Sequence, residues 1–241
     1  MALSFDGVDD ISQHTDINAM DGAAALATSF WVQLIGAQAV NDGFWSKGEV
    51  FGVGISGSSA TELQAHGALA SAQRWRTTTV SLVENQWYRL AVNYDGSQTG
   101  NANRLQLYLD GVSQTLTFDG AVPASLASTA DQVTAGKNIT NAEFFKGYLA
   151  HLKIWTQAMT AAQLEQELQS FRPISTTGLV LWAPYADGTS ARDYSGSGNH
   201  GTVTGALTTG GPPQIPRPER FIAQKHRHGG LGLWGHRLLM K

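Results

Sequence analysis

The chain has 241 residues, 42% hydrophobic and 15% charged, with a formal net charge of -3 and no cysteine. That is apolar material for one large β domain with an appendage, and the lack of cysteine excludes disulfides, thiol chemistry and thiolate metal sites. No apolar run approaches the roughly 18 residues of a transmembrane helix, and residues 1–30 show no basic stretch followed by an apolar one, so neither a membrane span nor a cleavable signal is expected.

In chain order, an acidic turn at Asp6, Asp9 and Asp10 opens the sequence. Short segments of alternating apolar and polar residues follow, separated by Gly, Asn and Asp. Phe30, Val32 and Leu34 point one way and Trp31 and Gln33 the other. Leu90, Val92 and Tyr94 repeat the pattern, as do Leu105, Leu107 and Leu109, and Tyr148, Ala150, Leu152 and Ile154. Asn41-Asp42-Gly43, Asp95-Gly96, Asp110-Gly111 and Asp119-Gly120 are turn signals, because Gly accepts the positive φ that tight turns need. Thr160 and Gln163 form a capping-box pattern ahead of a short helix with Leu164, Leu168 and Phe171 on one face, and Pro173 stops it. Leu179-Val180-Leu181-Trp182 starts a further strand, and the domain is expected to close near Gly211, giving a sandwich over 1–211 and an extended arm over 212–241. Four of the seven prolines fall in 212–218. Residues 217–241 hold six Lys or Arg and one Glu, a net +5 against -8 for the rest.

Several segments, taken together, resemble the laminin-G-like, concanavalin A-like jelly-roll superfamily: Phe5-Asp6-Gly7, Phe30-Trp31-Val32, Trp45-Ser46-Lys47-Gly48, Trp87-Tyr88-Arg89-Leu90, Leu107-Tyr108-Leu109-Asp110-Gly111, Phe145-Lys146-Gly147-Tyr148 and Ile154-Trp155 with Met159-Thr160. The resemblance runs from residue 3 to about 205 and implies an all-β, antiparallel two-sheet jelly-roll sandwich. Asp193-Tyr194-Ser195-Gly196-Ser197-Gly198-Asn199-His200-Gly201 resembles a family segment that normally precedes Phe5-Asp6-Gly7, so the order looks circularly permuted. Residues near 205 are therefore expected beside Leu3, as close termini allow.

The resemblance does not choose a function, since one sandwich serves many. Glycosidases on related sandwiches need carboxylates two apart on one strand, where alternate residues share a face. The only such spacing, Glu165 and Glu167, falls in the expected helix and reads as a solvated face, so no enzyme is expected. Gly52-Val53-Gly54-Ile55-Ser56-Gly57 looks like a dinucleotide fingerprint but lies in a β region with no helix pattern after it. His151, beside Lys153, reads as a surface or packed histidine. Asp6, Asp193 and Asn199 form a candidate metal set, calcium by the resemblance, although Asx residues build such turns without an ion. Of Trp45, Trp75 and Trp87, Trp87 is expected in the core by the resemblance; Trp75, between two arginines, is the candidate sugar-stacking ring.

In the arm, Arg217, Arg220, Phe221, Arg227, Leu233, Trp234 and Arg237 are the candidate partner-binding residues. The charges are too dilute for nucleic acid, and the apolar residues suit docking on another protein. By analogy with signal-less members of the resembled superfamily, the expectation is a virion protein, a bacteriophage capsid-decoration or tail component with other virion proteins as partners. The alternative is a lectin-like module for glycans, including host-surface ones.

Overall fold

A computed structural model describes residues 1–39, 42–56, 62–67, 74–77 (backbone only), 80, 82–138, 143–186 and 190–213. Two antiparallel sheets face each other across one apolar core. The first runs Val112–Ser113, Leu105–Leu109, Trp87–Asp95, Ala25–Leu34, Lys146–Trp155, Ala2–Asp6 and Leu207–Thr209, and Leu179–Ala183 pairs with the far half of Lys146–Trp155. The second runs Leu116–Asp119, Arg74–Thr77, Leu63–Gly67, Phe51–Ile55, Gly43–Lys47, Val133–Ala135, Ile11–His14, Gly201–Thr204 and Ser190–Ala191. The architecture is the jelly-roll sandwich that the sequence suggests.

The permuted end closes both sheets. Leu3 pairs with Thr208 and Ser4 with Leu207, while Gly201–Thr204 joins the other sheet beside Ile11–His14. The late segment therefore contributes one strand to each layer instead of a single strand beside Leu3.

Alternation works as expected in most strands. Phe30, Val32, Leu34, Leu90, Val92, Tyr94, Leu105 and Leu107 all enter the core. Phe51, Val53, Leu63 and Ala65 do so from the second sheet, and each large buried side chain contributes about 2 kcal/mol by leaving water. Lys146–Trp155 departs from the simple pattern. Ala150 pairs with Trp31 and Lys153 with Ser29, so one extra residue sits between them, and His151 adopts φ +56°. This bulge flips the parity: Tyr148 and Ala150 face outward, and Leu152 and Ile154 face the core.

Gly52 to Ile55 of the fingerprint-like segment lie in the strand Phe51–Ile55, and its Gly57 lies outside the described residues. A Cβ on Gly52 would lie 2.4 Å from the His66 ring, and one on Gly54 2.3 Å from the Asp42 carbonyl oxygen, so these glycines permit close packing. Asp110 and Gly111 both have positive φ, as a two-residue hairpin turn requires, and Val112 pairs with Leu109.

The helix Ala161–Leu168 is capped by Thr160 and Gln163, with Leu164 and Leu168 buried against Ala27, Ala91 and Trp155 on the outward face of the first sheet. Phe171 lies beyond the helix and is 46% exposed. Glu167 is buried, not solvated. Lys153 Nζ donates to its carboxylate at 3.0 Å and to the carbonyls of Glu167 and Ser170, while the backbone N–H groups of Ile174 and Ser175 donate to its other oxygen. In the second sheet, buried Lys47 donates to Asp16 at 2.6 Å, Asp21 at 2.8 Å and the carbonyls of Ile17 and Thr129, fastening two loops to one strand. No helix among the described residues is long and apolar enough to cross a membrane.

Candidate functional site

The metal set read from the sequence is not assembled. Asp193 and Asn199 do meet, since the Asn199 N–H donates to Asp193 Oδ2 at 2.9 Å. Asp193 also accepts from the N–H of Trp182 and from the N–H and hydroxyl of Ser195, so both its oxygens tie down a turn. Asn199 donates to the Val180 carbonyl at 2.7 Å and accepts from the Thr15 hydroxyl. These residues stand at the His14 end of Ile11–His14, whereas Asp6 stands near the Ile11 end with Asp10 and Gly205, about 10 Å along the strand direction.

Asp6, Asp9 and Asp10 bring one carboxylate oxygen each within 4.8 Å of one another. Asp6 Oδ1 accepts from the N–H groups of Val8 and Asp9, and Asp10 Oδ2 from the N–H of Asp6. Burial, with help from the neighbouring carboxylates, raises the pKa of Asp10. With these oxygens accepting from N–H groups of their own loop, the trio fits a hydrogen-bonded turn.

The imidazole of His14 is buried beside Asn199. Its Nδ1–H donates to the Asn199 carbonyl at 3.0 Å, and the Tyr185 hydroxyl, 3.4 Å away, donates to Nε2. Burial brings its pKa down to about 4. His151, also held at about 4 by burial, packs edge-on against Phe171 with ring centroids 4.8 Å apart.

Trp45 is fully buried against Phe51. Trp75 lies on Arg74–Thr77 opposite Ala65 and Phe118, but its side chain, like all of residues 214–241, lies outside the described residues. Trp87, expected in the core, is instead half-buried on the outward face of the first sheet, because Tyr88, Leu90 and Val92 take the core positions of its strand.

That outward face has two halves. The helix Ala161–Leu168 covers one. On the other, the register sets Trp87, Gln33, Tyr148 and Ser4 side by side across four strands, with Arg89, Trp31 and Ala150 in the next row. The rings of Trp87 and Tyr148 are 6.1 Å apart and inclined by only 30°, leaning together over Gln33. Gln33 makes no side-chain hydrogen bond among the described residues, so its amide is free to donate and accept. The guanidinium of Arg89 lies over the Trp31 ring at 5.9 Å and pairs with Asp110 and Glu165, which neutralises it and marks the border with the helix.

The outward face of the second sheet is different in kind. Thr202, Gln13, Thr134, Ser46, Gly52 and His66 form one row across it. The hydroxyls of Ser46 and Thr134 are buried and have no hydrogen-bond partner among the described residues. Just before the sheet's central strand, Gly43–Lys47, the Asp42 carboxyl is buried, which pushes its pKa up to about 6, aided by repulsion from Glu143.

Residues 6–165 match the family model described as the concanavalin A-like lectin/glucanases superfamily, and the chain belongs to that superfamily. Among solved structures it is similar to a protein of Bacteroides ovatus proposed to bind carbohydrate, at 19% identity and a TM-score of 0.68, over 86% of this chain and 58% of that one. It is also similar to Trypanosoma rangeli sialidase, at 9% identity and a TM-score of 0.50, over 69% of this chain and 27% of the sialidase. At these identities the likeness concerns the fold. No curated protein matches the chain in sequence.

Proposed function

We propose that this protein is a non-catalytic glycan-binding module whose site is the aromatic half of the first sheet's outward face. The observation that carries the proposal is the row of Trp87, Gln33 and Tyr148: two rings inclined by 30° with, between their strands, an amide that has no partner among the described residues. Ring faces suit the C–H faces of a pyranose, and an amide suits hydroxyls that both donate and accept. With Arg89 already paired, the surface favours a neutral sugar over an acidic one. Membership of a lectin-containing superfamily and the likeness to the Bacteroides ovatus protein support the same reading. Binding is favoured over hydrolysis because Glu165 and Glu167 are engaged with Arg89 and Lys153. A virion setting, with the module serving host-surface attachment, is proposed from the sequence alone.

A glycan array probed with the full chain, followed by calorimetry on the best neutral oligosaccharide, tests this. Trp87→Ala and Tyr148→Ala should each weaken binding about tenfold, near 1.4 kcal/mol, in the range for a ring at the centre of an interface. Thr202→Ala on the other sheet should leave it unchanged. Absence of any glycan ligand, or indifference to both ring substitutions, would overturn the reading.

A further inference from the structure

A second exposed aromatic surface lies where the described chain ends. Phe171 stands edge-on to His151, the Trp182 ring is 5.8 Å from Phe171, Tyr194 is 5.8 Å from Trp182, and Arg192 caps Tyr194 at 5.3 Å. Phe171 and Tyr194 are 46% and 43% exposed, and nearby Ile174 is 57% exposed. None of these residues belongs to the row of Trp87 and Tyr148.

The head of this strip coincides with the exit of the chain. Ala2–Asp6 pairs with Lys146–Trp155 so that Leu3 faces Leu149, which carries Met1 toward His151, and repulsion from the Met1 amino group helps to depress the His151 pKa. Gly211 packs against Met1, where a Cβ would come within 2.5 Å of its nitrogen. The chain thus leaves the domain through Gly211–Pro213 beside His151.

Residues 214–241 carry Phe221, Leu231, Leu233, Trp234, Leu238 and Leu239, more apolar surface than a solvated tail holds without cost. Phe221 lies eight positions beyond Pro213, a reach of about 26 Å when extended, which exceeds the strip. Glu219, the one acid in 214–241, lies two residues before Phe221 and offers a partner to Arg172 or Arg192 beside the strip. We propose that the strip of His151, Phe171, Trp182 and Tyr194 is the docking surface for residues 214–241 of the same chain, with Phe221 entering first. The C-terminal segment then acts as a strap laid over the domain's own aromatic strip.

The test exploits the lack of cysteine. Ile174→Cys in the full chain, labelled with a photoactivatable benzophenone, should cross-link within the monomer to a peptide from 214–241. Cross-links confined to residues 1–213, or found only in covalent dimers, would overturn the proposal. As a second measurement, Phe171→Ser/Tyr194→Ser should speed trypsin cleavage after Arg220, Lys225 and Arg227 by about tenfold with the domain still folded, since cleavage follows the undocked population. Equal rates would overturn it as well.

Discussion

The two outward faces of this sandwich differ in how they meet water. On the first sheet, half the face is sealed by a helix fastened through a buried Lys153–Glu167 pair, and half presents Trp31, Trp87 and Tyr148. On the second sheet, the face carries a row of polar residues in which two buried hydroxyls have no partner among the described residues. Rings on an open face stabilise the fold little and are free to serve a ligand, whereas unpaired buried hydroxyls tax stability.

The largest expected effect comes from separating the two halves of the first face. Lys153→Ala leaves the Glu167 carboxylate buried and unpaired, which should cost about 3–5 kcal/mol and lower the melting temperature by about 10 °C. A melt within 2 °C of the parent would show that the pair does not hold the helix. Trp87→Ala, by contrast, should change glycan binding and leave the melt nearly in place.

Acid should weaken the end of the second sheet next. His14 titrates near 6.5 when unfolded and at about 4 in the fold. The unfolded chain therefore binds the proton more tightly, and stability is intact above pH 6.5 and falls as pH drops toward 4, by up to about 3 kcal/mol. His151 adds a loss in the same window. Asp42, whose pKa is raised to about 6, has the opposite sign, its share of stability growing as pH falls below 6. Thermal melts at pH 7.5 and 4.5 should show His14→Gln less acid-sensitive than the parent; equal sensitivity would assign the acid loss elsewhere.

A smaller effect distinguishes the two faces directly. Thr134→Val removes a buried hydroxyl that has no partner among the described residues, at constant shape, and should stabilise the protein by about 1 kcal/mol in a denaturant titration. Destabilisation would mean that the hydroxyl has a role the polar row does not reveal. Smallest of all, EDTA should move the melting temperature by less than about 1 °C, because Asp193 and the Asp6–Asp10 turn are satisfied by backbone N–H groups. A larger drop would restore the calcium reading.

The sequence by itself determined the class of fold, the strand alternation at Phe30 to Leu34 and Leu90 to Tyr94, the Asp110-Gly111 hairpin, the Thr160–Gln163 cap and the meeting of the permuted ends. The jelly-roll class and the meeting of the permuted ends came through the family resemblance, whereas the alternation, the hairpin and the cap follow from local rules, period two, turn chemistry and capping, that act within a few residues. Even Trp31 and Gln33 could be placed opposite the core strand positions by parity alone. Tertiary structure decided the rest. Parity says which residues share a face but not that Trp87 joins Tyr148 across an intervening strand, because that neighbourhood depends on strand order and register. One extra residue at His151 reversed the facing of everything after it, a shift that no alternating pattern announces. Glu167 seemed solvated until the helix lay across the sheet and Lys153 rose to meet it, for the attraction that buries a charge comes from a partner distant in sequence.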